Sequence, residues 1–153
     1  MWYRIFAANS IEPAPAQLLE HLHLEGWAVK GDFRGDVLGW TGCDLHFGEG
    51  TAIYLERYLA SEDDIRDDLN TWAAWVEAQD FVPMQKRAGL MERIIQSKQL
   101  ITLRKPIDHA NESGMDDLCL EVSRHFATRT NGIYQVDSEG FFDAEGNLLL
   151  KEY

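Results

Sequence analysis

Four carboxylates and two glycines are crowded into the segment Val136–Leu148, which reads VDSEGFFDAEGNL. Such a density of acidic side chains could hold a calcium ion. An EF-hand loop, however, needs oxygen ligands at alternate positions and a glycine at the sixth position. Counting from Asp137 places Phe141 at the fifth position, and counting from Asp143 places Leu148 at the sixth. Neither register supplies the required ligands, so the segment is not predicted to bind calcium.

The same segment contains one turn pattern twice, as DSEG at residues 137–140 and DAEG at residues 143–146. An aspartate in the first position of a turn can accept hydrogen bonds from backbone N–H groups. A glycine in the fourth position can adopt the left-handed conformation. The segment is therefore predicted to form the two hairpin turns of a small meander.

The histidines do not form a recognisable metal site. His21 and His23 are two residues apart on a predicted helix, so their side chains point in different directions and cannot bind one zinc ion. Cys43 and His46 are three residues apart on a predicted strand and face opposite sides. We predict no metal and no cofactor.

A histidine paired with a carboxylate is the enzymatic alternative, as in a small hydrolase or isomerase. Two cysteine–histidine pairs, Cys119 with His125 and Cys43 with His46, are also conceivable, but Cys119 falls on the apolar side of its predicted helix. The signature of an enzyme would be a pocket in which His125 or His46 lies within hydrogen-bond reach of a carboxylate. The sequence contains no GxSxG, HExxH or phosphate-binding glycine motif.

The composition is that of a folded protein. The chain has 153 residues, of which 45% are hydrophobic and 26% are charged, and we expect a single domain over residues 1–153. The two cysteines are isolated, and the N-terminal apolar run is too short for a secretory signal. No run approaches the ~20 apolar residues of a membrane-spanning helix. We therefore expect a cytoplasmic protein that does not bind membranes.

The net charge of −12 limits the partners that the protein can bind. It disfavours nucleic acids, because phosphate groups are bound by clustered Lys and Arg, and it favours a basic protein. Residues 61–80 carry a net charge of −6, and residues 81–105 carry a net charge of +5. Two consecutive segments of opposite sign are expected to pair with each other within the fold.

Hydrophobic periodicity and turn residues predict strands at both ends of the chain and helices between them. The helix that opens at Ser61 has Asp64 three residues later, a variant of the capping box. The predicted elements are a strand at Trp2–Ala8, a helix at Ala14–Glu25 closed by Gly26, three strands from Trp27 to Tyr58 with turns at Arg34–Asp36 and Gly48–Gly50, helices from Ser61 and at Gln85–Ser97, a strand at Gln99–Arg104, a loop at 105–114, a helix at Met115–Thr130 and the final meander.

This order predicts an α+β fold with a mainly antiparallel sheet, or sheets, and helices packed on one face. Residues 2–58 and 99–153 both read as strand, helix and three strands, so the chain is a candidate pseudo-repeat of two β-α-β-β-β units joined by the helices at 61–98. Chance similarity between hairpins is the alternative explanation, because hairpins use the same few turn residues.

We expect a non-catalytic module that binds a basic protein partner or a small ligand through acidic and aromatic side chains. The candidate binding residues are Trp40, Asp44 and Trp75. A homodimer formed through Trp75 and the helical pair is a further alternative. The immunity proteins that neutralise toxins have a similar physical character, although no motif in the sequence identifies such a family.

Overall fold

A computed structural model describes residues 1–48, 52–106 and 114–153. The described residues form eight strands and four helices. In chain order these are β1 (Trp2–Ala7), α1 (Pro15–Leu24), β2 (Val29–Asp36), β3 (Gly39–Phe47), β4 (Ala52–Leu59), α2 (Arg66–Glu77), α3 (Met84–Ile95), β5 (Gln99–Arg104), α4 (Met115–Arg129), β6 (Ile133–Val136), β7 (Gly140–Phe142) and β8 (Leu148–Lys151). None of these helices is both long and apolar enough to cross a membrane.

The strands form one antiparallel sheet in the order β2-β3-β4-β5-β1-β6-β7-β8. The predicted order of two β-α-β-β-β units flanking a helical pair is confirmed. Both units contribute to the same sheet, and their first strands lie side by side at its centre, with β5 next to β4 and β1 next to β6. Strands β2, β3 and β4 follow one another from one edge of the sheet towards its centre. Strands β6, β7 and β8 follow one another from the centre to the other edge. A duplication as the origin of the two units stays a prediction.

The α+β class and the antiparallel sheet are confirmed, but the helices divide between both faces of the sheet, whereas one covered face was predicted. Helices α1 and α4 pack against one face, where Ile101 is buried, and α2 and α3 pack against the other, where Leu100 is buried. Successive residues of a strand point to opposite faces, so two adjacent apolar residues in a central strand require cover on both sides.

The end of α1 follows the sequence prediction. Gly26 has a φ of +91°, and its N–H donates to the carbonyl oxygen of His23 at 3.0 Å. The N–H of Trp27 donates to the carbonyl of Leu22 at 2.9 Å, which completes a Schellman motif. This motif sends the chain back towards the sheet at β2.

Strand β2 includes Arg34–Asp36, which was predicted as a turn. The reversal occurs at Val37 and Leu38 instead, where the Asp36 carboxylate accepts a hydrogen bond from the N–H of Leu38 at 2.8 Å. The aspartate thus stabilises the turn from the last position of the strand. The loop predicted at 105–114 and the turn predicted at Gly48–Gly50 lie mostly outside the described residues.

Helix α2 begins at Arg66 rather than Ser61, so the predicted capping box is wrong. No side chain caps the helix, and the buried Ile65 occupies the N-cap position. The carboxylate of Asp63 instead accepts a hydrogen bond from the N–H of Leu59 at 2.7 Å. This bond holds the segment before α2 in a turn beside the end of β4, where its acidic side chains remain exposed.

The two predicted hairpin turns are confirmed, but their first aspartates act differently. Asp143 accepts hydrogen bonds from the N–H groups of Glu145 and Asn147 within its own turn, and Gly146 has a φ of +90°. Asp137 instead accepts a hydrogen bond from the N–H of Trp2, in the first strand of the chain. The second hairpin is therefore held by local bonds, and the first is tied to β1.

Candidate functional site

A groove of about 490 Å³ lies between the start of α2 and the adjacent open part of the sheet. Its floor is a row of residues across three strands, since Arg4 of β1 pairs with Thr102 of β5, and Thr102 pairs with Glu56 of β4. Leu100, two residues from Thr102, is buried in the core beneath α2 and α3. The groove therefore forms where the helical layer stops. We call it the acidic groove, and it is lined by Trp2, Arg4, Glu56, Tyr58, Asp63, Asp64, Ile65, Asp68, Leu100, Thr102 and Trp72.

Three aromatic rings line the acidic groove. Trp2 is 36% exposed, and Tyr58 and Trp72 are half-buried. The ring of Trp72 lies 5.9 Å from the buried ring of Phe141, which fixes its position. The hydroxyl of Tyr58 donates a hydrogen bond to the carboxylate of Glu56. The groove thus presents flat apolar surfaces beside acidic oxygens.

Arg4 is the basic residue of the groove, and its charge is already matched. Its Nη1 donates to Oε1 of Gln135 at 2.8 Å and to Oδ1 of Asp137 at 2.7 Å. Its guanidinium carbon lies 4.8 Å from the centre of the Trp72 ring and 5.8 Å from that of Trp2. Because Arg4 is paired with Asp137, its positive charge does not neutralise the acidic side chains that line the groove.

The acidic residues that line the groove are Glu56, Asp63, Asp64 and Asp68. Asp64 and Asp68 are exposed and take part in no ion pair within the described part of the chain. The oppositely charged segments 61–80 and 81–105 were expected to pair, and among the described residues no ion pair joins them. Arg87 of α3, for example, donates to the backbone carbonyl of Glu77. Among the described residues, the charges of Asp64 and Asp68 are therefore not paired.

The pair between Arg4 and Asp137 sets the ionisation of the aspartate. Burial opposes ionisation of Asp137, but hydrogen bonds from Arg4 and from the N–H of Trp2, together with the charge of Arg4, outweigh this effect and hold its pKa below the ordinary value. A depressed pKa in the folded state contributes stability above the ordinary pKa of an aspartate. This contribution is lost as the pH falls through the folded-state pKa.

We expect Asp137→Asn to lower the free energy of unfolding by about 1–2 kcal/mol at pH 7, because a half-buried charged hydrogen bond is lost. The difference from the wild type should shrink as the pH falls through the depressed folded-state pKa of the Asp137 carboxylate. Urea unfolding between pH 2 and pH 7 measures both effects. Glu139→Gln, two residues away, makes the same charge change and should alter stability little. Equal stability of Asp137→Asn and the wild type at pH 7 would contradict this assignment.

The predicted binding residue Trp40 belongs to the core. It is 3% exposed, its indole N–H donates to the carbonyl of Pro13 at 2.8 Å, and its ring stacks on Phe126 at 5.6 Å. The β2–β3 register leaves Thr41 unpaired as a bulge, so Trp40 and Cys43 reach the same face. A bulge of a single residue cannot be recognised from the sequence, so the burial of Trp40 was not foreseen.

The other two predicted binding residues are also outside the acidic groove. Asp44 is 34% exposed on β3 and lies 3.3 Å from Arg34 in an ion pair. Trp75 is half-buried, and its ring packs 5.9 Å from Phe141 and 6.1 Å from Trp72. Trp75 therefore packs against Trp72, which lines the groove, without lining the groove itself. The structure does not bring the three predicted residues together.

Among the described residues, two histidines lie within hydrogen-bond reach of a carboxylate. His46 Nε2 is 3.0 Å from Oδ2 of Asp32 on the exposed face of the sheet, and His21 Nε2 is 2.8 Å from Oε1 of Glu121 between α1 and α4. His125, the other predicted base, has no partner for its buried Nε2 within the described residues. Burial, together with the charges of His21 and Arg129, lowers the pKa of His125 to about 4. These histidines are not among the residues that line the acidic groove.

The cysteines are not activated as nucleophiles. Cys43 and Cys119 are both fully buried. Burial is the main cause that raises the pKa of each thiol to about 12, so neither forms a thiolate at neutral pH. The structure gives no support to a cysteine–histidine pair.

Part of the acidic groove had a sequence signal. The acids at 62–68 were recognised, but they were assigned to the start of a helix, which actually begins later. Trp2 and Arg4 were placed correctly on a first strand, but nothing local indicates that this strand pairs with β5 at the centre of a sheet. The spacing of four between His21 and Glu25, and between Glu121 and His125, was readable and was missed.

The chain matches no protein-family model, no curated protein and no solved structure. The chemistry of its surface is therefore the basis on which a function can be inferred.

Proposed function

We propose that the protein is a non-catalytic binding module whose acidic groove receives a basic segment of a protein partner. The observation that carries this proposal is the group of four carboxylates that share a concave surface with three aromatic rings. The carboxylates attract ammonium or guanidinium groups, and the ring faces add cation–π attraction. The net charge of −12 would speed the approach of a basic partner.

Arg4 illustrates within the chain how a cation would be held. Its guanidinium lies over Trp72 and near Trp2 while it bonds to the carboxylate of Asp137. A lysine or arginine of the partner would meet the same kind of ring with Asp64 and Asp68 as its acidic neighbours. This arrangement combines a flat ring with charged hydrogen bonds, as interface anchors commonly do.

The surface around the groove suits an extended segment better than a compact small ligand. The face of the sheet continues from Glu56 to Tyr54, which is 37% exposed and lies two residues before Glu56 in β4. The guanidinium of Arg104 lies 4.6 Å from the centre of the Tyr54 ring and so adds a positive group at this end. A basic segment would therefore lie towards α2, and its side chains near Tyr54 would be neutral or acidic.

The test measures binding of a tetra-arginine peptide with blocked termini to the full chain. The double variant Asp64→Asn, Asp68→Asn should bind it about fivefold more weakly than the wild type, because two exposed charge pairs are lost. Both side chains are exposed, so folding should be unaffected. Fluorescence anisotropy at two salt concentrations gives the affinity and its salt dependence, which should be smaller for the double variant.

The matched control is Glu77→Gln, Asp80→Asn. It makes the same charge change with exposed residues at the end of α2 and just beyond it, outside the acidic groove. This control should weaken binding by less than twofold. Equal weakening by both double variants would show that the peptide responds to net charge alone, and the proposal would then be abandoned.

A further inference from the structure

A second constellation of side chains lies between α1 and α4, on the face of the sheet opposite the acidic groove. His21 and Glu25 are four residues apart at the end of α1, and Glu121 and His125 are four residues apart on α4. A spacing of four places two helical side chains on the same side of a helix. Each helix therefore offers one imidazole and one carboxylate in this region.

The distances among three of these residues suit a metal ion. His21 Nε2 lies 2.8 Å from Oε1 of Glu121, and one ligand atom each from His21, Glu25 and Glu121 lie within 4.8 Å of one another. Tetrahedral zinc with bonds of about 2.1 Å separates its ligand atoms by about 3.4 Å. Glu25 is exposed, so its side chain can move the remaining distance, on the order of 1 Å, without disturbing the core.

His125 is an independent indication of a ligand. It is 8% exposed, and its buried Nε2 has no hydrogen-bond partner among the described residues. Its ring lies 5.0 Å from the ring of His21, centre to centre. Buried polar atoms are rarely left without a partner, and coordination to a metal ion would supply one.

We propose that His21, Glu25 and Glu121 bind a divalent zinc ion between α1 and α4. The ring nitrogens of His125 lie outside this three-residue group, so its ring would have to turn towards the ion to serve as the fourth ligand. Two imidazoles and two carboxylates are an accepted ligand set for Zn²⁺, and the two carboxylates balance the charge of the ion. Arg129 lies close enough to His125 to act on its charge and opposes a cation there. Four protein ligands leave no open position, so the ion would tie the two helices together and would have no catalytic role.

A hydrogen bond between His21 and Glu121 is the simpler explanation of their contact. It joins α1 to α4 without any ion. It does not explain why Glu25 converges on the same point or why Nε2 of His125 is buried without a partner. The two explanations predict different effects of replacing Glu25. A hydrogen bond between His21 and Glu121 does not involve Glu25, whereas the metal site requires it.

The experiment titrates zinc chloride into the full chain after treatment with a chelator, using isothermal calorimetry. We expect one ion per chain and an increase in Tm, because an ion that binds only the folded state stabilises it. Glu25→Gln should weaken zinc binding at least tenfold and should leave the Tm without zinc unchanged. Glu20→Gln, an exposed glutamate on the same helix, is the matched control and should bind zinc like the wild type.

The four-ligand geometry is tested by cobalt substitution, because replacement of His125 could disturb the buried interface. Co²⁺ bound in place of zinc should give the visible absorption of a tetrahedral site in the wild type, and Glu25→Gln should reduce it. The proposal is overturned if zinc does not bind or raise the Tm, if Glu25→Gln binds zinc as tightly as Glu20→Gln, or if the cobalt spectrum is octahedral.

Discussion

Replacing Phe141 with alanine should lower the free energy of unfolding by about 3–5 kcal/mol, a large part of the stability of an average domain. Phe141 is 0% exposed and lies in β7. Its ring is 5.9 Å from each of the rings of Phe6, Trp72 and Trp75. The substitution would leave a cavity between the sheet and α2 that these large rings cannot fill by small movements.

Urea unfolding followed by circular dichroism measures this loss, and tryptophan fluorescence reports on the environment of Trp72 and Trp75. Phe81→Ala is the matched control, because it removes the same side chain at a position that is 54% exposed. The control should change stability by less than about 0.5 kcal/mol. A loss below about 1.5 kcal/mol for Phe141→Ala would mean that the site collapses around the cavity, contrary to the packing described here.

The second large effect is expected for Gln99→Leu. Gln99 is 0% exposed and accepts a hydrogen bond from Nε of the buried Arg57 at 2.7 Å. Its amide nitrogen donates to the carbonyl oxygens of Asn9 and Ile11 at 3.0 Å and 2.7 Å. Leucine would leave a buried guanidinium N–H and two carbonyl groups without these partners. We expect a loss of about 3–4 kcal/mol in the free energy of unfolding.

Gln96→Leu is the control for this prediction. Gln96 donates a hydrogen bond to Glu92 at 3.1 Å, but on an exposed surface where water can replace the lost bond. Its substitution should change stability by less than about 0.5 kcal/mol. If Gln99→Leu were no more destabilising than Gln96→Leu, the network around Arg57 would contribute little, and the segment that contains Asn9 and Ile11 would be held by other contacts.

The elements with strong local signals were predicted well. The strand Gln99–Arg104 has the predicted bounds, and Gly26 closes α1 as expected from its position. The division of the helices between the two faces of the sheet was missed. Strand β5 reflects this division, because its five residues from Gln99 to Leu103 are all buried. Such a run indicates a strand covered on both sides, while alternation predicts one covered side.

The candidate sites were less predictable, because they depend on contacts between distant parts of the chain. Arg4 and Asp137 are 133 residues apart in sequence, and their pairing follows from the placement of β1 beside β6. Nothing in the local sequence determines that placement. Trp40 was predicted to be a binding residue, and its burial was missed because a single unpaired residue, Thr41, cannot be recognised from the sequence.

The position of β1 has a consequence for how the protein forms during synthesis. Both neighbours of this strand, residues 99–104 and 133–136, are translated long after it. Strand β1 therefore has no strand partner during synthesis until residues 99–104 and then residues 133–136 have been made. Pairing over such a long stretch of chain slows folding. It also means that the strands of residues 2–58 cannot complete their pairing before residues 99–136 have been synthesised.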